Sequence, residues 1–272
     1  MPITRREILA SAAVLQVVAP KPGVRYYVRY SAGAGGAPAY GVLEGDRIQP
    51  LAGSIFENPK PNGKPIPASP VKLLYPCQPP KVLAVGLNYK SHLGSRPAPS
   101  RPELFYKPIT CLQHPGDPIV IPADSKNTHY EGELVIVIGK GTGSKRIFGY
   151  TCGNDVSERD WQNGTDKDLQ WWRAKGADTF GPMGPVIAVG LDPKPSMLKT
   201  RLNGAVVQQQ LVSDLLFDCE AIVAFASKYV TLTPGDVIYT GTPGSTKAMK
   251  AGDVVEVEID GIGVLRNPVK AG

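Results

Sequence analysis

Two glutamates, Glu131 and Glu133, stand two residues apart at the head of the apolar run Leu134-Val135-Ile136-Val137-Ile138. In an extended chain, positions i and i+2 point to the same face, so both carboxylates would share one side of a strand. Like charges that close raise each other's pKa unless a cation lies between them. Gly132 removes a side chain from the middle of the pair. A third acid, Asp155, ends the strand-like run GYTCGND at 149–155. Three oxygen ligands without a Cys or His pair favour a hard dication, Mg2+ or Mn2+, over Zn2+. The same pattern also describes two ordinary solvated glutamates at a strand end, and the spacing by itself leaves both readings open.

The elements that must position these acids can be read from hydropathy and turn signals. Residues 82–85, 120–122 and 134–138 read as strands, the last a continuous apolar run suited to a buried position. Gly-Asp turns at 116–117, 235–236 and 252–253 punctuate the chain, and the latter two lead into valine-rich runs. In VVEVEID at 254–260, apolar and acidic residues alternate, as in a strand with one wet face. Residues 213–229 predict a helix capped by Ser213, with Leu216, Cys219, Ile222, Val223 and Ala226 on its apolar stripe. The fold class is therefore mixed α+β with β dominant. Residues 23–75 read as a small β-rich N-terminal domain, ending in a Pro-rich linker at 57–70, and residues 76–272 as the main domain.

The 272 residues carry a formal charge of +6. Lysine and arginine are scattered, with no basic run interleaved with aromatics, which argues against nucleic acid as a partner. Cys77, Cys111, Cys152 and Cys219 are far apart and form no CxxC pair, so they read as buried thiols rather than a zinc or redox motif, with a disulfide open to them in an exported protein. Residues 1–22 read as a twin-arginine signal or a tail: Arg5-Arg6 precedes a mild apolar stretch too short to span a bilayer. Export is favoured over retention in the cytoplasm. No stable membrane span is expected.

Several segments taken together are similar to the fumarylacetoacetate hydrolase family. They are VGLNYKSH at 85–92, LFYKP at 104–108, YEGELVIVIGK at 130–140, GYTCGNDVSERDWQ at 149–162, WWRAKGADTFGPMGPVI at 171–187, TLTPGDVIYTGTPGS at 231–245 and KAGDVVEVEIDGIGVLRNPV at 250–269. The resemblance implies a fumarylacetoacetase-type β-roll, commonly a homodimer, acting on small 2-oxo (enol) acids. It implies Glu131, Glu133 and Asp155 as ligands of Mg2+ or Mn2+, Lys175 as a pocket lysine, Thr242 as a holder of the substrate carboxylate and His92 as a catalytic histidine on a lid. Lys107 and Arg159 are added as pocket cations. His129 reads as a neighbour of the ligands rather than one of them, and Trp161, Trp171 and Trp172 as packing or dimer residues.

The implied reaction is carbon–carbon hydrolysis of an acylpyruvate-type substrate. The alternatives are isomerisation or decarboxylation of a 2-oxo dicarboxylate, or carboxylate binding without catalysis. Hydrolases of the family often place a glutamate three residues after the lid histidine, and here that position is Ser95. Serine cannot charge-stabilise an imidazolium as a carboxylate does, which makes hydrolysis less secure than metal binding. The proline-rich lid also makes a helix there doubtful.

Overall fold

The computed structural model describes residues 21–33 and 36–272. The twin-arginine pair lies outside the described residues. The principal strands, in chain order, are β1 (Arg25–Ser31), β2 (Pro38–Glu44), β3 (Arg47–Ala52), β4 (Val82–Gly86), β5 (Glu103–Lys107), β6 (Ile119–Ile121), β7 (Gly132–Ile138), β8 (Ile147–Asn154), β9 (Gly181–Val189), β10 (Met197–Leu202), β11 (Ala205–Leu211), β12 (Val237–Tyr239), β13 (Val254–Ile259) and β14 (Gly263–Ala271). Among the described residues three short α-helices accompany them: α1 (Arg159–Asn163), α2 (Trp172–Gly176) and α3 (Cys219–Ala226). The chain is thus β-dominated, as its turn-rich, strand-length apolar runs require. Among the described residues no helix is long and apolar enough to cross a membrane.

The larger sheet runs β3-β2-β1-β9-β8-β7-β12-β4-β5, and a second sheet runs β6-β14-β13-β10-β11. Strand β7 shows why its sequence is apolar without alternation. Leu134, Ile136 and Ile138 enter one core cluster, while Val135 and Val137 enter another on the opposite face. Every residue of β7 is buried, and each such aliphatic side chain contributes about 1.5–3 kcal/mol of transfer free energy. In β13 buried and half-buried positions alternate. Its Glu258 turns outward to Lys199 and Arg201, at 3.2 and 2.6 Å.

Two of the three Gly-Asp turns share one device. Gly235 and Gly252 take φ of 94° and 92°, open to glycine without strain. Each following aspartate folds back to accept a backbone N–H: Asp236 from Thr233 at 2.7 Å, Asp253 from Lys250 at 2.9 Å. All four cysteines are buried and free. Burial pushes the Cys77 and Cys219 thiols up to about 12 and Cys111 to about 11.

Two expectations from the sequence change. The Pro-rich segment at 57–70 is not a free linker: Lys60–Pro61 and Ile66–Pro67 both pair with β3. The helix expected over 213–229 starts only at Cys219. Its cap is Asp218, whose Oδ1 accepts the Ala221 N–H at 2.9 Å, while Ser213 sits in a separate 3₁₀ turn. Asn88 is the reason. Its carbonyl accepts from the Leu216 N–H, its Oδ1 accepts from the Phe217 N–H at 2.8 Å, and its Nδ2 donates to Phe217 and Thr240 carbonyls. These bonds hold 216–217 in a bend and defer the helix. The stripe Cys219, Ile222, Val223 and Ala226 is buried as expected.

The cap makes a checkable prediction. Asp218→Ala should lower stability by about 1 kcal/mol, measured from the urea midpoint, while Asp218→Asn should lose much less. The Ala221 N–H holds the Asp218 carboxyl below its ordinary value of 3.8, despite an opposing push from burial and with help from Lys194. A lowered folded-state pKa gives stability present above 3.8 and lost as pH falls through the lower folded value. The gap between wild type and Asp218→Ala should therefore narrow in acid.

Candidate metal centre and active site

The β7–β8 register creates the acidic cluster. Gly132 pairs with Asn154 and Glu133 with Gly153. Extending that antiparallel ladder by one residue sets Glu131 opposite Asp155, and the Asp155 N–H donates to the Glu131 carbonyl at 2.9 Å. The Glu131 N–H is held in turn by the Asn154 Oδ1 at 2.8 Å. One oxygen from each of Glu131, Glu133 and Asp155 lies within 4.8 Å of the others, and all three side chains are buried.

Gly132 is glycine because the second sheet presses on it. A Cβ there would stand 2.0 Å from the Thr200 Oγ1 and 3.4 Å from the Gln208 Oε1. Thr200 and Gln208 are paired across β10 and β11, and the Gln208 Oε1 accepts the Gly132 N–H at 3.2 Å. The glutamate pair is thus gripped between two sheets.

Three cations surround the acids, but unequally. Lys175, near the end of α2, donates to the Glu131 Oε2 and the Asp155 Oδ2, both at 2.6 Å. Arg159, opening α1, reaches the Glu131 Oε1 at 2.5 Å and the Thr246 Oγ1 at 2.8 Å. Lys107, ending β5, donates to the Asp155 Oδ1 at 2.6 Å and to the carbonyls of Lys175 and Phe180. Among the described residues no cation forms an ion pair with Glu133, which accepts only the Gly241 N–H, at 2.7 Å.

The titration behaviour follows. Burial would raise the Glu131 carboxyl, but Arg159, Lys175 and His92 outweigh it and hold Glu131 far below the carboxylate range. Glu133 goes the other way: burial, then Asp155 and Glu131, push it well above 4.5. Burial would lower the Lys175 ammonium, yet Asp155 and Glu131 raise it. A dication fits this donor set: three convergent hard oxygens, no sulfur or imidazole ligand, and one carboxylate without a counter-charge.

Above the acids lies a cavity of about 430 Å³. Its lining includes Glu131, Glu133, Arg159, Lys175, Thr242 and His92, with Phe105 and Trp171 as an aromatic wall. Most of the residues expected at the site are therefore brought together. Asp155 supports the cluster from beneath, and Lys107 requires a correction. Lys107 was expected to touch substrate. It instead stays outside the cavity lining, its ammonium fully buried and used up by Asp155 and two carbonyls. Thr242 lines the cavity, but its Oγ1 donates to the Gly132 carbonyl and accepts from the Gln208 Nε2. That leaves its hydroxyl proton committed to backbone.

His92 closes one side from a single 3₁₀ turn, Lys90–His92, where a longer lid helix was doubted. Its Nδ1 is 2.5 Å from the Gly244 carbonyl, and its Nε2 is 3.7 Å from the Glu131 Oε1. A carbonyl only accepts, so Nδ1 carries the proton, and in the neutral ring Nε2 is then the one that presents a lone pair. Ser95 is exposed. His129 stays out of the donor set: its ring bonds Thr246 and Asn127, and burial, with Arg159 nearby, pushes it down to about 4.

Trp161 packs under the Arg173 guanidinium, as a packing residue should, and Trp172 is exposed. Trp171 departs from expectation. It holds φ of 56° at the N-cap of α2 and sets its ring edge-on to Phe105, 5.5 Å away, on the cavity wall. Left-handed backbone at a tryptophan has no sequence signal. Gln208 and the Gly244 carbonyl were also missed. A glutamine in a strand and a glycine carbonyl carry no motif of their own.

Residues 81–270 match the family described as Fumarylacetoacetate (FAA) hydrolase C-terminal. The chain belongs to the fumarylacetoacetate hydrolase family. Residues 27–76 match the Rv2993c-like N-terminal family. A solved structure of 5-carboxymethyl-2-hydroxymuconate delta-isomerase from Mycobacterium smegmatis is 41% identical, with a TM-score of 0.83, covering 91% of this chain and 100% of that one. A mitochondrial oxaloacetate tautomerase of Xenopus laevis is 41% identical over 74% of this chain and 69% of its own length. Maleylpyruvate hydrolase from Sphingobium sp. SYK-6, solved with manganese(II) and pyruvate, is 28% identical, with a TM-score of 0.73, covering 91% of this chain and 99% of that one. Named relatives in the family are thus isomerases, tautomerases and hydrolases of oxo acids, and the β-rich roll expected from the sequence is the fold these neighbours share.

The unpaired Glu133 sets a test of the metal centre. Saturating Mg2+ or Mn2+ should raise the melting temperature of the wild-type chain. At a hundredfold excess over Kd the gain is about 2.7 kcal/mol, or roughly 5–10 °C for a chain of this size. Glu133→Gln should lose most of that shift, yet melt no lower than wild type in cation-free buffer.

Proposed function

We propose that this chain moves a proton in a small 2-oxo dicarboxylate, interconverting its keto and enol (or double-bond isomeric) forms with Mg2+ or Mn2+ held by Glu131, Glu133 and Asp155. The observation that carries this reading is the His92 ring. Its Nδ1–H is committed to a neutral carbonyl, with no carboxylate on that side, and its Nε2 faces the cavity, 3.7 Å from the Glu131 Oε1. Such an imidazole can accept one proton from carbon and return it. On the Nδ1 side only a neutral carbonyl backs the ring, so the support that a carboxylate there would give to the imidazolium of prolonged water activation is missing.

When bound, the cation would supply charge stabilisation to the oxo-acid oxygens. The chain's own residues do the rest. Lys175 adds positive charge where negative charge develops on the substrate oxygen. His92 Nε2 takes a proton from the carbon next to the carbonyl. The freed C–H electron pair becomes a carbon–carbon double bond, the carbonyl pair moves to oxygen, and that oxygen receives a proton. Phe105 and Trp171 keep bulk water from one side of the cavity. The cationic groups Arg96, Arg159 and Lys175 around it suit a substrate with a second carboxylate.

A second reading is carbon–carbon hydrolysis of an acylpyruvate. The aromatic wall would accommodate an acyl chain, and a hydrolase is among the relatives. The homodimer and export of the folded protein belong to the same proposal; gel filtration and fractionation of cells expressing the full chain check them.

The deciding assay follows decay of the enol absorbance of oxaloacetate and longer 2-oxo dicarboxylates, against the uncatalysed rate, with pyruvate release measured in parallel. Catalysed enol decay without pyruvate is the expected outcome. Glu131→Ala should abolish it, and His92→Asn should slow it by about 100-fold or more. Stoichiometric pyruvate would establish cleavage or decarboxylation instead. Ligand-dependent stabilisation with no turnover across the panel would establish a binding protein.

A further inference from the structure

The Gly244 carbonyl can direct His92 only if Gly244 itself is held, and the structure shows what holds it. The Gly244 N–H donates to the Ser91 Oγ at 3.0 Å, and the Ser91 hydroxyl donates to the Gln210 Oε1 at 2.6 Å. The Gln210 Nε2 donates to the Asp214 Oδ2 at 3.0 Å. Every donor and acceptor in this chain is fixed in direction. Asp214 accepts only, so the Gln210 amide nitrogen faces it and its oxygen faces Ser91. Ser91 must then give its proton to Gln210, and its lone pair accepts the Gly244 N–H.

Gln210 sits two residues after Gln208 on β11, so the two glutamines share a face. Gln208 is buried and donates to the Thr242 Oγ1 and the Pro243 carbonyl, at 2.8 and 2.6 Å. One strand at the edge of the second sheet therefore grips both the 242–244 loop and, through Ser91, the lid next to His92. Residue 244 needs a glycine's freedom, since its φ is +62°. A loop this permissive would otherwise let its carbonyl turn away from the ring.

We propose that Ser91 and Gln210 are positioning residues that hold the Gly244 peptide so that its carbonyl keeps His92 in the Nδ1–H form, in place of a lid carboxylate. Ser91 borders the cavity, but its hydroxyl is spent on Gln210 and the Gly244 N–H, and Gln210 lies outside the lining; both act through the ring. The inference rests on the proton-transfer reading of His92, but its central observable does not require turnover.

Ring 15N spectra of the full-length Mg2+-loaded protein read the tautomer directly. The chain has three histidines, so a His92→Gln spectrum assigns the signals. Wild type should show a protonated Nδ1 and an unprotonated Nε2 at His92. Ser91→Ala should average the two signals toward each other and lower kcat about tenfold with KM changed less than twofold. Ser91→Thr should restore both. Gln210→Ala should mimic Ser91→Ala, and the double variant should be no worse than either. Ser91 is exposed, so its alanine variant leaves the core intact, and an unchanged melting temperature checks this. A His92 ring with the proton on Nε2 in wild type would overturn the inference, as would Ser91→Ala with unaltered ring signals. A shifted ring in Ser91→Ala, in a protein whose wild type turns over no oxo acid, would support the positioning role and refute only the proposed reaction.

Discussion

The structure depends on the repulsion among three carboxylates drawn together in a dry place. Glu131, Glu133 and Asp155 lie within reach of one oxygen-seeking ion, all three of them buried. Buried like charges of this kind cost several kcal/mol unless compensated. The surrounding chain is arranged to supply that compensation: Lys175 bridges two of the acids, Arg159 and Lys107 each secure one, and Glu133 is left with a single backbone N–H. The asymmetry matters more than the total. A centre neutralised completely by lysine and arginine would have no appetite for a dication.

The same economy of charge explains the lid. A family hydrolase often backs its lid histidine with a glutamate, and here the corresponding residue is an exposed serine. The ring is directed instead by a peptide carbonyl. A carboxylate fixes the tautomer and also favours the protonated ring; a carbonyl fixes the tautomer with far less electrostatic pull. Replacing one by the other separates two tasks that a histidine–glutamate pair performs together. Under the proposed function, that division suits brief proton transfer better than chemistry that dwells on the imidazolium.

What could be read from the sequence was what local pattern encodes. The Glu-Gly-Glu step, the unbroken apolar run of β7 and the alternation of β13 each depend on a strand period of two, and each is found where it was expected. The apolar stripe of α3 was visible for the same reason. The start of that helix was not, because Asn88, more than a hundred residues upstream in the chain, competes for its first turns. Lys107 was misplaced because a lysine near a pocket and a lysine behind one look alike until burial is known. Trp171 and the Gly244 carbonyl were hidden for a different reason. Their contributions come from backbone geometry, to which residue identity gives no access.

The clamp on Gly132 has a consequence for how this scaffold can diversify. Thr200 and Gln208 fill the space where any larger residue would sit, so the spacing of the glutamate pair is set by contact between layers and cannot be retuned by a point change at that position. The acidic floor is effectively frozen. New substrate preferences must be written elsewhere, on the lid and the aromatic wall, where side chains border open space. One rigid floor beneath an adaptable rim is a plan under which related enzymes can keep the same ion and differ in what they bring to it.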